Sequence, residues 1–315
     1  MLNRKFHHLN SRTNHSRDDS KILKITMKLK LTFILILFIG KSLSSQISVQ
    51  AVGYWDMNEK YEYKGSYQKY KVTGKDTVFE SDMTYDVIVK ITDSTSSSYK
   101  VEWLYKNHTF KRGNKIAQLI SNPNDSVKVE FITDELGAFK ELLNMEELLS
   151  FYDKKFKTLI KKAEDKELKK ILNLVNNQFK NENFIKNNSY KDLLNFYTFH
   201  GAKYDLKKDY EAKMKTGNNY GGESFDTDVT VWLDEIDSEN NNFVMRSYQK
   251  VDSIQLKNAV SKYLKASINK IPEITNETYI ANRIHGTGWT TYSIVTREVK
   301  SENSKNVEEY IIELK

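Results

Sequence analysis

The 315-residue sequence contains no cysteine, only two prolines (Pro123 and Pro272) and 12 glycines. The lack of cysteine excludes disulfide bonds, thiol nucleophiles, thiolate metal sites and a lipid-modified N-terminal cysteine. A chain of this length can bury a sizeable core without disulfides. Because proline and glycine are scarce, no flexible linker marks a boundary between domains.

A long hydrophobic run is missing as well. The longest apolar segment, from Leu31 to Gly40, has ten residues, whereas a membrane-spanning helix needs roughly 20. This length is typical of the apolar part of a secretory signal peptide, and the basic segment 27–30 precedes it as expected. The sequence therefore predicts export to the periplasm or the extracellular space, with an uncleaved membrane anchor as the alternative.

The segment after the apolar run is rich in small residues, as signal peptidase requires. We expect residues 27–45 to form the signal peptide, with cleavage between Ser44 and Ser45 or, alternatively, one residue later. Residues 1–26 are polar and basic and show no apolar period. We interpret them as a mis-annotated or disordered leader, with Met27 as the true start of the protein.

The formal net charge of +7 comes from the leader. Residues 1–45 hold nine of the 49 Lys and Arg residues and two of the 42 Asp and Glu residues, so residues 46–315 hold 40 of each. A nucleic-acid-binding surface needs an excess of basic residues on one face. The neutral mature chain therefore disfavours nucleic acid as a partner.

No catalytic or metal-binding motif is present. The mature chain has three histidines, His108, His200 and His285, which lie far apart in the sequence without ligand-like neighbours. The serine-hydrolase elbow, the His-Glu-x-x-His motif, the Walker loop and the dinucleotide-binding glycine motif are all lacking. The sequence thus predicts no catalytic residue, no metal site and no cofactor, and it favours a protein that is not an enzyme.

Apolar and polar residues alternate along several segments between residues 61 and 105, which is the period of half-buried strands. The apolar positions are Tyr61 and Tyr63, then Val87, Val89 and Ile91, then Tyr99, Val101, Trp103 and Tyr105. A further strand is expected near residues 127–132. Residues 46–143 are therefore predicted to form an N-terminal antiparallel meander.

Residues 144–201 are predicted to form a helical insert, because the apolar period changes to that of a helix. Asn144 and Glu147, three residues apart, have the pattern of a capping box, in which side chains satisfy the free amides of a first turn. A later helix is expected to begin near Ser189, where Asp192 would complete a second capping box.

Residues 202–315 return to the strand pattern, with one helix over 253–268. Segment 228–238 parallels segment 86–94, so the two meanders are interpreted either as pseudo-repeats or as two unrelated meanders of similar pattern. We predict an α+β fold, with a large antiparallel sheet for which curvature towards a half-barrel is one form. Residues 46–315 are expected to form one compact unit.

Two aromatic residues are candidate ligand contacts. If Val231 and Leu233 face the core, Trp232 points to the opposite side of its strand, where it either packs beneath a helix or contacts a ligand or partner. Tyr220 lies in the glycine-rich segment 217–222, which is expected to be a hairpin loop.

The chain resembles a group of exported proteins of Bacteroidota-type bacteria that have no assigned activity. The resemblance rests on the leader ending in Ser45 and Gln46, the Tyr-x-Tyr opening strand, the approach from Gly137 to the first helix, and the segment 287–289 before a long hairpin. A looser resemblance is to periplasmic lipoprotein carriers of the LolA type, which implies a sheet and helices around an apolar cavity.

These observations favour an exported, non-enzymatic protein that binds an apolar ligand, such as a lipid or small molecule, or a partner in the cell envelope. No transmembrane span is expected in the mature chain. One alternative is a hydrolase that uses carboxylates, for which a deep cleft with two perturbed Asp or Glu residues would speak. The other is a structural or interaction module of the envelope.

Overall fold

The computed structural model describes residues 47–113, 115–121, 125–188, 190–218 and 220–315. The predicted signal peptide with its cleavage site at Ser44 and Ser45 lies outside the described residues, as does Ser189. Residues Ser48–Lys315 form one compact unit.

The described residues contain thirteen strands. They are β1 (Ser48–Gln50), β2 (Lys60–Thr73), β3 (Asp76–Thr95), β4 (Ser98–Arg112), β5 (Val127–Asp134), β6 (Phe139–Leu142), β7 (Lys203–Asp205), β8 (Asp209–Thr216), β9 (Phe225–Asp237), β10 (Asn242–Val251), β11 (Ile274–His285), β12 (Thr290–Ser301) and β13 (Ser304–Leu314).

Six α-helices and a short 3₁₀ helix (Ile268–Lys270) accompany the described strands. The α-helices are α1 (Lys115–Ile120), α2 (Met145–Lys162), α3 (Lys166–Phe179), α4 (Glu182–Asn188), α5 (Lys191–Phe196) and α6 (Ser253–Leu264). Within the described ranges, no helix combines the length and the apolar character needed to cross a membrane.

Eleven strands form one antiparallel sheet in the order β6-β5-β4-β3-β2-β13-β12-β11-β10-β9-β8, and β1 pairs separately with β7. The chain crosses the sheet in the same direction in both meanders. The meanders join where the first long strand, β2, pairs with the last strand, β13, so that Tyr67 lies opposite Tyr310. This arrangement confirms the predicted α+β fold with a large antiparallel sheet, while the curvature and the pseudo-repeat remain predictions.

One face of the sheet, termed the covered face, packs against the helices. Alternation along β3 shows how the sequence selects this face, because Tyr85, Val87, Val89 and Ile91 are buried while the residues between them are more exposed. Trp103 of β4 continues the same face and is fully buried. Since neighbouring side chains on a strand point to opposite faces, this period of two orients the whole first meander.

Helices α2 to α5 cover the first meander. On α2 the buried residues Leu148, Tyr152 and Phe156 recur every four positions, which gives the helix one apolar stripe towards the sheet. Full burial of each such side chain stabilises the fold by about 1.5–3 kcal/mol. This stripe fixes α2 over the strands, and the predicted helical insert takes its place on the covered face.

Helix α6 covers the far end of the second meander. Its residues Leu256 and Val260 pack with Phe225 and Val251 in a separate small core. The Asp252 carboxylate accepts a hydrogen bond from the Gln255 amide at 2.7 Å, which caps the first turn. The helix ends at residue 264, four residues earlier than the sequence predicted.

The segment before β2 crosses the end of the sheet near the β11–β12 turn. Trp289 is buried there, with its ring 5.1 Å from that of Trp55 and 4.6 Å from that of Tyr61. The Trp289 indole donates a hydrogen bond to Glu59 at 2.9 Å. The sequence feature at 287–289 is thus a packing site that joins the two meanders.

Candidate functional site

A cavity of about 340 Å³ lies between the covered face and the helices of the insert. This volume is at the lower end of the range for sites that hold small organic molecules. The walls come from strands β2 to β5 and β13, helices α1, α2, α3 and α5, and the segments that flank α1 and α5. The lining residues are Tyr67, Ser81, Met83, Tyr85, Tyr105, His108, Phe110, Ala117, Ile120, Ser121, Asp125, Val127, Tyr152, Lys155, Phe179, Tyr190, Lys191, Asp192 and Tyr310.

The floor of the cavity is a row of four side chains across four neighbouring strands. Tyr310 of β13 is in register with Tyr67 of β2, Tyr67 with Met83 of β3, and Met83 with Phe110 of β4. Adjacent strands are about 4.8 Å apart, so the row is roughly 14 Å long. It offers a ligand an elongated and mainly apolar surface.

A bulge in β4 brings part of this floor into place. Tyr105 faces the helices, and regular alternation would turn His108 and Phe110 to the other side of the sheet. Asn107 has a φ of 57°, and the pairing with β3 is irregular at this point. Asparagine tolerates the left-handed conformation better than most residues, and the Asn107 side chain is held by a hydrogen bond to Asp86 at 2.8 Å.

The roof contains a buried carboxylate. Asp192, in the first turn of α5, accepts hydrogen bonds from the Tyr85 hydroxyl at 2.7 Å, the Tyr105 hydroxyl at 2.8 Å and the Leu193 amide at 2.9 Å. Burial raises the pKa of the Asp192 carboxyl, although these hydrogen bonds act in the opposite direction. Two long tyrosines of the sheet therefore hold the start of α5 through one carboxyl group.

A glycine in β2 permits this arrangement. The ring of Tyr85 lies across Gly65, and a Cβ atom at position 65 would be only 2.2 Å from the ring. Real Cβ contacts do not reach that distance, so a side chain at position 65 would displace the Tyr85 ring from its path to Asp192.

Other tyrosines extend the polar network around the wall. The Tyr152 and Tyr190 hydroxyls are 3.3 Å apart, and the Tyr190 ring stacks on that of Tyr105 at 5.9 Å. Burial raises the pKa of Tyr190 and Tyr310 well above the ordinary value of a phenol. These side chains are neutral at physiological pH, so they offer a ligand aromatic faces and uncharged hydroxyl groups.

The end of the cavity near β4 holds a histidine beside an ion pair. His108 is 9% exposed, and its Nδ1 atom is buried without a hydrogen-bond partner among the described residues. Burial and, secondarily, the charge of Lys155 lower the pKa of His108. Lys155 forms an ion pair with Asp125. At pH 7 this end therefore carries a neutral imidazole and a compensated pair of charges.

The capping box predicted at Asn144 is corrected by the structure, whereas the second predicted box depends on Ser189, which lies outside the described residues. The Asn144 side chain does not cap α2, because it accepts a hydrogen bond from the Glu130 amide at 2.9 Å and donates one to the Lys128 carbonyl at 3.0 Å. Asp192 likewise bonds to tyrosines of the sheet. Both side chains tie a helix to the sheet, which the local sequence pattern did not indicate.

The two aromatic residues predicted as ligand contacts lie in the second meander and do not line this cavity. Trp232 is half-buried on the face of β9 opposite Leu233, between its register partners Asp209 and Arg246. Tyr220 lies in the β8–β9 loop with its ring 5.7 Å from that of Tyr263. A contact of Trp232 or Tyr220 with a ligand or partner remains a prediction.

The other two histidines take part in local structure. His200 is buried, and its Nε2 atom is 2.7 Å from the Gly288 carbonyl oxygen. The Nδ1 atom of His285 is 2.8 Å from the Thr287 hydroxyl in the β11–β12 turn. His108 is the histidine that sequence reasoning missed, and the signal that could have found it is the break in alternation at Asn107.

The alternative function, a hydrolase that uses carboxylates, requires two carboxyl groups with perturbed pKa values in one cleft. Of the two carboxyl groups that line this cavity, Asp192 has a raised pKa, and Asp125 is paired with Lys155. The arrangement does not supply the pair of acid and base that such a reaction uses. It supplies a shaped, aromatic site with a few polar groups.

No protein-family model matches the chain, and no curated protein matches it. Among solved structures, the chain is similar to the crystal structure of a Bacteroides fragilis protein described as exported and as having a YmcC-like fold. The match covers 84% of this chain and 99% of the other, with 8% sequence identity and a TM-score of 0.26.

Proposed function

We propose that the protein is exported and that its mature part binds a small, mainly apolar molecule in the cavity beneath α1, α2, α3 and α5. The proposal of export rests on the signal-like segment 27–45. The proposal of binding rests on one observation, the cavity of about 340 Å³ with its aromatic walls.

The lining residues suit a ligand that is apolar along most of its length. Met83, Phe110, Ile120, Val127 and Phe179 contribute aliphatic and aromatic surface. The six tyrosine rings of the wall add further apolar area, and each places a single hydroxyl group at its edge. Sites of this composition gain affinity from apolar contact and use a few polar groups to orient the ligand.

A binding role needs no reacting group, and it agrees with the way in which the polar side chains are held. The Asp192 carboxyl is engaged by three donors, and the Lys155 ammonium is engaged by Asp125. Groups fixed in this way stabilise the walls of a site. The proposed activity is therefore binding or carriage of a ligand without its chemical conversion.

The test is a titration with N-phenyl-1-naphthylamine, a neutral apolar fluorophore whose emission rises in an apolar site. We expect saturable binding to the wild-type protein and a loss of affinity of about tenfold in Ile120→Trp, since the indole would occupy part of the cavity. The matched control is Ile171→Trp on α3, where the isoleucine is 43% exposed and lies outside the cavity lining.

Equal affinity of the two tryptophan variants, at equal midpoints of urea unfolding, would contradict the proposed site. A third variant, Trp232→Ala, addresses the contact predicted from the sequence, and we expect it to bind the fluorophore as the wild type does. The proposal of export is checked by the intact mass of the secreted or periplasmic protein, which should begin at Ser45 or Gln46.

A further inference from the structure

Four charged side chains line the cavity, and three of them are engaged. Asp125 and Lys155 neutralise each other, and Asp192 accepts three hydrogen bonds. Lys191, the first residue of α5, has no ion-pair or hydrogen-bond partner within the described ranges of the chain. The one uncommitted charge at the cavity wall is therefore positive.

Lys191 belongs to the end of the cavity near β2 and β13. The charged groups that act on it from the sheet are Arg297 of β12 and Glu308 of β13, which bond to each other at 3.3 Å. Tyr67 and Tyr310 line the same end and lie in register with each other. The Glu308 carboxylate is thus already paired with a guanidinium group, and the Lys191 ammonium is left for another anion.

The opposite end, beside Phe110 and His108, carries no net charge, and the floor between the two ends is apolar. A molecule that lies along the row from Tyr310 to Phe110 therefore meets a free cation at one end only. A ligand cation is disfavoured, because both oxygens of the Asp192 carboxyl already accept hydrogen bonds.

We propose that the ligand is an elongated amphiphile with one acidic group, which pairs with Lys191, and an apolar body that lies along the row Tyr310, Tyr67, Met83 and Phe110. This inference rests on the proposed function, since it names the class of ligand for the same cavity. The acidic group supplies the partner that Lys191 lacks, and the apolar body covers the floor.

The protonation of Lys191 gives the inference a second readout. Burial and, secondarily, Arg297 lower the pKa of Lys191 to about 8, while the nearby Glu308 acts in the opposite direction. Burial raises the pKa of Tyr67 and Tyr310 above the ordinary value, so these phenols do not titrate near pH 8. Affinity for an acidic ligand should therefore hold below pH 8 and fall above it, as the ammonium loses its proton.

The experiment is displacement of N-phenyl-1-naphthylamine from the full mature chain by three molecules of equal chain length: dodecanoate, dodecanol and dodecyltrimethylammonium. We expect dodecanoate to displace the fluorophore at a concentration about tenfold lower than dodecanol, as for one added charged hydrogen bond. The ammonium compound should be the weakest. Lys191→Met should abolish the preference for the acid, and the control Lys186→Met, on α4 outside the cavity lining, should retain it.

The outcomes separate this inference from the proposed function. If dodecanol displaces the fluorophore as well as dodecanoate does, the acidic class is wrong while the apolar site stands. If the fluorophore itself does not bind, the proposed function fails and this inference fails with it. If Lys191→Met does not fold, the pH dependence of the wild type serves as the test. The affinity for dodecanoate should then fall between pH 7 and pH 9.5 while the affinity for dodecanol stays constant. An equal response of both ligands to pH would overturn the inference.

Discussion

The two meanders of the sheet run in the same direction but are covered in different ways. The first, β2 to β6, lies beneath five helices and encloses a cavity. The second, β8 to β13, is covered by α6, by the segments around β1 and β7, and at β12 and β13 by α5. The difference lies in the groups that hold the helices: tyrosine hydroxyls beside the cavity in the first meander, and shorter polar side chains in the second.

Helix α5 shows this difference within six residues. At its start, the Asp192 carboxylate accepts hydrogen bonds from the hydroxyls of Tyr85 and Tyr105, two long side chains of the sheet. At its end, the Phe196 carbonyl accepts hydrogen bonds from Asn282 at 3.2 Å and from Thr290 at 3.1 Å. Shorter side chains of the second meander thus hold the end of the helix, while its start lies over the cavity.

The largest expected effect comes from removing the carboxyl group that supports the open end. Asp192→Ala leaves the Tyr85 and Tyr105 hydroxyls buried without an acceptor, which should lower the free energy of unfolding by about 3 kcal/mol. Urea unfolding followed by tryptophan fluorescence measures this loss. The control is Asp234→Ala in the second meander, where ion pairs with Lys207 and Arg246 are partly exposed and should be worth less than about 1 kcal/mol. Equal losses of unfolding free energy in the two variants would mean that the buried Asp192 carboxyl and the partly exposed Asp234 ion pairs stabilise the fold equally.

A smaller effect is expected from the glycine beneath Tyr85. Gly65→Ala should lower the free energy of unfolding by about 2 kcal/mol, because the added methyl group overlaps the Tyr85 ring. Gly217→Ala, in the β8–β9 loop of the second meander, has open space around its Cβ position and should change the free energy by no more than about 0.5 kcal/mol. A Gly65→Ala protein as stable as the Gly217→Ala protein would mean that the ring can move without cost.

The smallest expected effect concerns the pH dependence of stability, which should have opposite signs for Asp86 and Asp192. Burial alone would raise the pKa of Asp86, but the hydrogen bonds from Asn107, Lys315 and Lys64 outweigh it and lower the pKa to about 2. Its stabilising effect of about 1–2 kcal/mol should be complete above the unfolded pKa of about 3.9 and be lost as the pH falls towards 2. Asp192 has a raised pKa, so its effect on stability should become more favourable as the pH falls from 7 towards 4.

The measurement compares the wild type with Asp86→Asn and with Asp192→Asn in urea titrations between pH 7 and pH 2.5. The stability advantage of the wild type over Asp86→Asn should shrink on acidification below pH 4. The free energy of unfolding of the wild type, relative to that of Asp192→Asn, should rise as the pH falls from 7 to 4. Parallel curves for the two pairs would show that the carboxyl groups lie in similar surroundings.

Much of the fold was predictable because it follows from local periods. The alternation at Val87, Val89 and Ile91 and at Val101 and Trp103 identifies the strands and their buried face. The change to helical spacing after Asn144 identifies the insert. These patterns depend on burial alone, and burial selects the same residue types in any protein of this class.

The site was not predictable, because its residues act through partners distant in the sequence. Asp192 has the spacing of a capping residue, yet two of its three hydrogen bonds go to tyrosines 87 and 107 positions away. His108 enters the cavity only because Asn107 breaks the alternation of β4. Lys191 is one of many lysines, and nothing in its neighbours shows that it faces a cavity.

The pairing of β2 with β13 sets the order in which the molecule can be completed. The last strand supplies Tyr310 to the cavity floor and Ile312 to the core of the first meander. Until β13 has been synthesised, β2 and β12 both present unpaired edges, which are prone to aggregate. Contacts between the two ends of a chain also form slowly, because a long loop must close first. The first meander therefore gains its complete core and cavity floor only when β13 pairs with β2.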